Sequence, residues 1–132
     1  MSEALSLLLD ERAIERLLID YVAHNDAGEW EALAALYVPD GRMSRPTAPD
    51  AFIEGAGAIL AAFQARPPRT TRHIVANVRV SVAGDEAMAS SQILLFTAAG
   101  QPPLVGTYQD RLLRTAAGWR FVERRGSLDF AA

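Results

Sequence analysis

The chain has 132 residues, half of them hydrophobic and 22% charged, with a formal charge of −3 and no cysteine. That length sets a single domain over residues 1–132, large enough to bury a core without covalent staples. Missing cysteine excludes disulfides, thiolate metal sites and thiol nucleophiles, the acidic balance argues against nucleic acid, and the absence of lysine excludes Schiff-base chemistry.

With only His24 and His73, a multi-histidine metal cage is also excluded; no metal is expected, and acid-base chemistry by side chains alone needs no cofactor. No run approaches the length of apolar residues that a bilayer requires. The early run at residues 5–9 lacks a basic segment before it and is closed by Asp10-Glu11-Arg12, so neither a leader nor a membrane span is expected. A cytoplasmic protein is the expectation.

In chain order, Ile14, Leu17, Leu18, Tyr21 and Val22 form the stripe of an amphipathic helix, with Asp10 as expected N-cap and Gly28 as its end. Trp30, Leu33, Ala34 and Tyr37 repeat the spacing in a second short helix, which Pro39-Asp40-Gly41 stops. Residues 42–53 read as a loop with one short strand, and 55–65 as a third helix presenting Ile59, Leu60 and Phe63, closed by Pro67-Pro68. The period then changes. Residues 71–82 alternate, with Ile74, Ala76, Val78, Val80 and Val82 on one parity and His73, Val75, Asn77 and Arg79 on the other. Gly84-Asp85 predicts a hairpin turn into a strand over 86–97, followed by a loop and strands over 104–114 and 119–129. Helices first, then an antiparallel meander, define an α+β fold.

Most motif signals are weak. Gly55-Ala56-Gly57 lacks the third glycine and the βαβ setting of a dinucleotide site. Arg66, Arg69, Arg72 and Arg79 cluster around Pro67-Pro68; arginine forks suit phosphate or carboxylate, but a solvated face is the simpler account. Of the adjacent Arg124 and Arg125, one must turn toward the covered face of its strand and needs a carboxylate or a ligand anion there, with Asp110 and Glu123 both available. The informative set is Tyr21, Asp26 and His73. Tyr21 lies on the apolar helix face and its hydroxyl needs a partner, Asp26 follows five residues on and reaches the same space only from the last helical turn, and His73 opens the first long strand. A histidine beside a carboxylate in a partly dry space is a natural general base near neutral pH. Each residue alone also fits a structural role: Tyr21 in the core, Asp26 in a turn, His73 at a strand end.

The segment from Tyr21 to Asp26, Gly28, Trp30 and Leu33, Leu36-Tyr37 before Asp40-Gly41, Thr71-Arg72-His73, Asn77, Gly84-Asp85, Gly106-Thr107-Tyr108-Gln109-Asp110, Gly118-Trp119 and Glu123-Arg124 together carry a resemblance spanning residues 11–130. The chain resembles the SnoaL-like branch of the nuclear-transport-factor-2-like superfamily, which contains polyketide cyclases, scytalone dehydratase and bile-acid dehydratases. Aromatic-ring dioxygenase small subunits share the fold. The resemblance implies a cone: a curved, mostly antiparallel sheet wrapped against three N-terminal helices around a pocket. In dehydratases of the superfamily a tyrosine, an aspartate and a histidine line that pocket, matching Tyr21, Asp26 and His73. Three features depart from the pattern. A further carboxylate gives way to an apolar residue near Leu95, the nearest position to a late arginine is Leu128, and the second pocket histidine of scytalone dehydratase has no counterpart.

These readings give the expected activity: dehydration, isomerisation or cyclisation of a small hydrophobic carbonyl compound, polyketide-, steroid- or terpenoid-like. His73 takes a proton, Asp26 orients it and Tyr21 donates to the oxyanion, with Asn77, Tyr108 and Trp30 as pocket residues. The alternative is a non-catalytic binding or assembly module like the dioxygenase small subunits. Ile74, Val78, Val80, Leu94 and Phe96 exceed what three short helices can cover, so a homodimer or homotrimer through the sheet is expected.

Overall fold

In the computed structural model, which describes residues 2–130, the chain orders as α1 (Glu3–Ala27), α2 (Trp30–Ala34), β1 (Tyr37–Arg45), β2 (Ala48–Glu54), α3 (Ala56–Gln64), β3 (Arg72–Ala83), β4 (Glu86–Phe96), β5 (Leu104–Thr115) and β6 (Gly118–Leu128). The strands form one curved, unclosed sheet in the order β2-β1-β6-β5-β4-β3. All neighbours run antiparallel except β1 and β6, which are parallel. The expected α+β class holds.

Helix α1 begins a full two turns before the expected Asp10. Ser2 caps it, its hydroxyl oxygen accepting from the Leu5 N–H at 3.1 Å, and the leucine-rich segment that follows favours helix. Asp10 instead accepts from the Arg114 guanidinium at 2.8 Å and from Trp119 Nε1 at 3.3 Å, tying α1 to the far end of the sheet. Gly28 ends α1 as expected, in the left-handed conformation at φ 71°. The expected stripe is the buried face: Ile14, Leu18 and Tyr21 are all buried against Phe121, Leu112 and the valines of β3.

Residues 37–54 differ more from expectation. Tyr37 leaves the second helix and starts β1, and residues 42–53 belong to a two-stranded hairpin rather than to a loop with one short strand. Pro39-Asp40-Gly41 does not stop the chain. It interrupts the pairing register with β6 between Tyr37 and Arg42, a place where a missing N–H costs no ladder bond. The β1–β2 turn then presses onto β6: a Cβ at Gly126 would stand 2.7 Å from the Pro46 nitrogen, so only glycine permits that approach. This contact brings Arg45 to the open end of the cone.

The parity expected along β3 is corrected by one residue. Asn77 adopts φ 53° where the register with β4 shifts, so it is an extra residue in a bulge. Before it, His73 faces inward while Ile74 and Ala76 face out; after it, Val78, Val80 and Val82 face the core. His73 therefore shares the concave face with the apolar valines that strict alternation places opposite. Asn77 itself is exposed, its amide donating to Gln92 Oε1, and it is not a pocket residue. Asparagine tolerates the left-handed region and a β-branched residue does not. Asn77→Val is expected to lower stability by about 1–2 kcal/mol in urea denaturation, while Asn77→Gly stays near the parent.

Candidate active site

Helix α1 delivers Tyr21 and Asp26 to the cone from one side, and the first residues of β3 deliver His73 from the other. Asp26 stands in the last turn before Gly28, where the helix can aim its carboxylate across to β3. Three hydrogen bonds fix it there. Asp26 Oδ1 accepts from the Thr71 hydroxyl at 3.0 Å and lies 2.5 Å from His73 Nδ1, and Oδ2 accepts from the His73 backbone N–H at 2.8 Å. The His73 side chain is 5% exposed and that of Asp26 11%. A carboxylate only accepts, so the imidazole donates from Nδ1 and leaves Nε2 as its free basic nitrogen. Burial pulls the His73 pKa below its ordinary 6.5, outweighing the bond and charge of Asp26, which raise it; Arg66 and Arg69 add to the lowering.

His73, Tyr21 and Tyr108 line an inner recess of about 40 Å³ together with Asn25, Met43 and Phe63. Tyr21 is 1% exposed, and its hydroxyl meets that of Tyr37 at 2.8 Å. Burial raises the Tyr21 pKa well above its ordinary value, so the phenol keeps its proton and can donate. The rings of Tyr21 and Tyr108 pack edge-on, and Arg124 lies behind both, 4.2 and 3.8 Å from their centroids. Arg124 is the member of its pair that turns inward, and Asp110 is its partner at 3.1 Å; Arg125 turns out to Asp50, and Glu123 goes to Arg42.

The recess adjoins a wider cavity of about 420 Å³ lined by Arg45, Arg66, Arg69, Ile93, Leu95 and Leu128 among others. That volume falls in the range of small-molecule sites. Trp30 lines a second opening of about 310 Å³ beside Asp26 and stacks on Phe63 at 5.3 Å. Among the described residues no cluster of three or more histidine, aspartate or glutamate side chains is placed to hold a metal ion, and no helix is long and apolar enough to cross a membrane.

The SnoaL-like domain family matches residues 6–125, nearly the full length of the chain. The chain belongs to the SnoaL-like family. A search among curated proteins returns no match. Among solved structures it is similar to a nuclear-transport-factor-2-like protein with a cystatin-like fold from Novosphingobium aromaticivorans, at 29% identity and a TM-score of 0.86 over 98% of this chain and 88% of that one. A candidate scytalone dehydratase from the same organism shares 29% identity at a TM-score of 0.80, covering 93% of this chain and 86% of the other. The type 3 hexachlorocyclohexane dehydrochlorinase LinA of Novosphingobium barchaimii has the same fold at 18% identity and a TM-score of 0.81, with 97% and 92% covered.

Within this SnoaL-like cone, Tyr21, His73 and Tyr108 line one recess, Asp26 stands directly behind His73, Trp30 sits at a neighbouring opening and Asn77 lies outside. Leu95 and Leu128 both face the wider cavity, giving it apolar wall at the two departures from the dehydratase pattern. Tyr37 and Arg45 were not legible as site residues. Tyr37 carries the helical spacing of its neighbours, and Arg45 falls in the segment that reads as a loop, far in sequence from Tyr21, Asp26 and His73.

Proposed function

We propose that this chain is a cofactor-independent enzyme that abstracts a proton next to the carbonyl of a small hydrophobic compound, driving dehydration, isomerisation or cyclisation. The observation that carries the proposal is the buried His73–Asp26 pair, which leaves Nε2 as the basic nitrogen of a side chain lining the recess. His73 takes the proton through Nε2. Asp26 holds the ring and stabilises its cation, and the protonated Tyr21 hydroxyl, with Tyr108 across the recess, offers hydrogen bonds to the developing oxyanion. Ring compounds of polyketide, steroid or terpenoid type fit the apolar wall. The similarity to a candidate dehydratase at 29% identity supports the reaction class.

The small volume of the recess favours one competing reading, a binding or assembly subunit without turnover. Proton exchange separates the two. Cyclic ketones and enones incubated with the protein in D₂O should lose their α-proton signals in NMR, and His73→Asn should abolish that loss. Binding of such rings with no exchange on any of them overturns the catalytic proposal.

We further propose association of two or three copies through the outer sheet face. Ile74, Leu94 and Val105 lie side by side across β3, β4 and β5, and Ile74 remains 47% exposed. A second copy is the occupant that this in-register band fits, because the same apolar band on an identical copy can cover it symmetrically. Val78 and Val80, by contrast, pack into the core. Light scattering on the purified protein should give a dimer or trimer mass, and a monomer mass refutes this.

A further inference from the structure

Seven of the thirteen arginines have a carboxylate in ion-pair contact among the described residues. Arg45, Arg66 and Arg69 do not, and all three line the same cavity in front of His73. They come from separate places, Arg45 from the end of β1 and the other two from the connection between α3 and β3. Arg45 and Arg66 are half-buried over one aromatic surface, 6.0 and 4.6 Å from the centroid of Phe63, while Arg69 stands at the exposed rim. Among the described residues the buried Arg45 Nε–H has no acceptor, and its Nη2 donates to the Ala62 carbonyl at 3.3 Å. Burial and the nearby charges of Arg45 and Arg69 pull the Arg66 pKa down, as expected for cations crowded without a counterion. Asp26, which lines the neighbouring opening with Arg66 and Arg69, is already engaged by Thr71 and His73.

Three guanidinium groups gathered around one cavity, in a chain that pairs most of its other arginines, leave a place for an anion that the protein does not supply. Guanidinium forks match the oxygens of a carboxylate or phosphate. The rest of the wall is apolar, with Ile93, Leu95, Leu104 and Leu128. We propose that Arg45, Arg66 and Arg69 clamp an oxyanion group, carboxylate or phosphate, of an otherwise apolar substrate whose body lies along that wall and whose reacting carbon faces His73. This rests on the cavity being the ligand site of the preceding section.

The test is calorimetric titration of three probes with one ring system: naphthoate, naphthyl phosphate and the neutral naphthamide. At least one of the anions should bind about tenfold to a hundredfold more tightly than the amide, and which one it is assigns the group. The preference should collapse in Arg66→Gln/Arg69→Gln and weaken at high salt. Should the double variant not fold, the single Arg69→Gln at the exposed rim reads the same preference. Equal binding of all three probes overturns the clamp, as does binding of none. His73→Asn should keep the anion preference. Anion preference in a protein that exchanges no α-proton leaves the clamp standing and removes the catalytic proposal, so the two fail separately.

Discussion

Replacing His73 by alanine is expected to lower turnover by about 10² to 10⁴, the range for a group that moves a proton in the transition state. Ligand affinity should change much less, since the apolar wall and the arginines lie elsewhere in the cavity. Asp26→Asn should be nearly as damaging, because the amide removes the charge that stabilises imidazolium and replaces one acceptor oxygen with a donor. The two losses should not add, since the residues act as one unit. The pH profile gives the sharper reading. The base must be neutral to work, so kcat/KM rises with pH through the His73 titration and then levels. Burial disfavours the imidazolium, which puts the midpoint of that rise below 6.5. Asp26 opposes this shift through its bond and its charge, so Asp26→Asn should move the midpoint lower still while lowering the plateau. Arg66 and Arg69 act the other way, and their removal should move the midpoint up. A midpoint above 7 in the parent protein contradicts this account of the site.

The parts of the fold that were legible in sequence are those set by local chemistry. The four long strands fall within about two residues of expectation because alternation and the Gly84-Asp85 turn are local signals. The inward stripe of α1 was legible for the same reason. Three features were not. A single residue in the left-handed region at Asn77 moves His73 to the same face as Val78, Val80 and Val82, and nothing in the spacing announces a bulge. The β1–β2 hairpin is obscured by Pro39, Pro46 and Pro49, which read as breakers but sit where the ladder is already interrupted or turning. The arginine cluster was visible as composition but not as geometry: Arg72 and Arg79 go to the exposed face, Arg66 and Arg69 go to the cavity, and Arg45 joins them only through the Pro46–Gly126 contact. The partner of Arg124 likewise follows from register, which sets it directly opposite Asp110.

That pair carries the largest expected effect on stability. Arg124 and Asp110 are buried completely at the side chain, 3.1 Å apart, with no well-directed hydrogen bond between them and, among the described residues, no other acceptor for the guanidinium. Its attraction comes instead from the Asp110 charge and from the faces of Tyr108, Tyr21 and Phe121, at 3.8, 4.2 and 4.8 Å. Removing one partner leaves the other charge buried without compensation, so Arg124→Met is expected to cost about 3–5 kcal/mol in urea denaturation at neutral pH. Arg124→Met/Asp110→Leu should recover most of that loss, because an apolar pair of similar volume leaves no orphaned charge. The sign of the pH dependence follows from Asp110. Burial pushes its carboxyl up to about 6 against the pull of Arg124, while an unfolded aspartate titrates near 3.8. The folded state therefore binds this proton more tightly, and its contribution to stability falls as pH rises from about 4 to about 6, then stays level. Without Arg124 the opposing pull is gone and the folded pKa climbs further. The penalty of Arg124→Met should accordingly be largest at neutral pH and shrink towards pH ~4, where the folded state holds the Asp110 carboxyl protonated with or without Arg124. A loss below about 1 kcal/mol at neutral pH, or one that grows on acidification, contradicts a buried charge pair at this position.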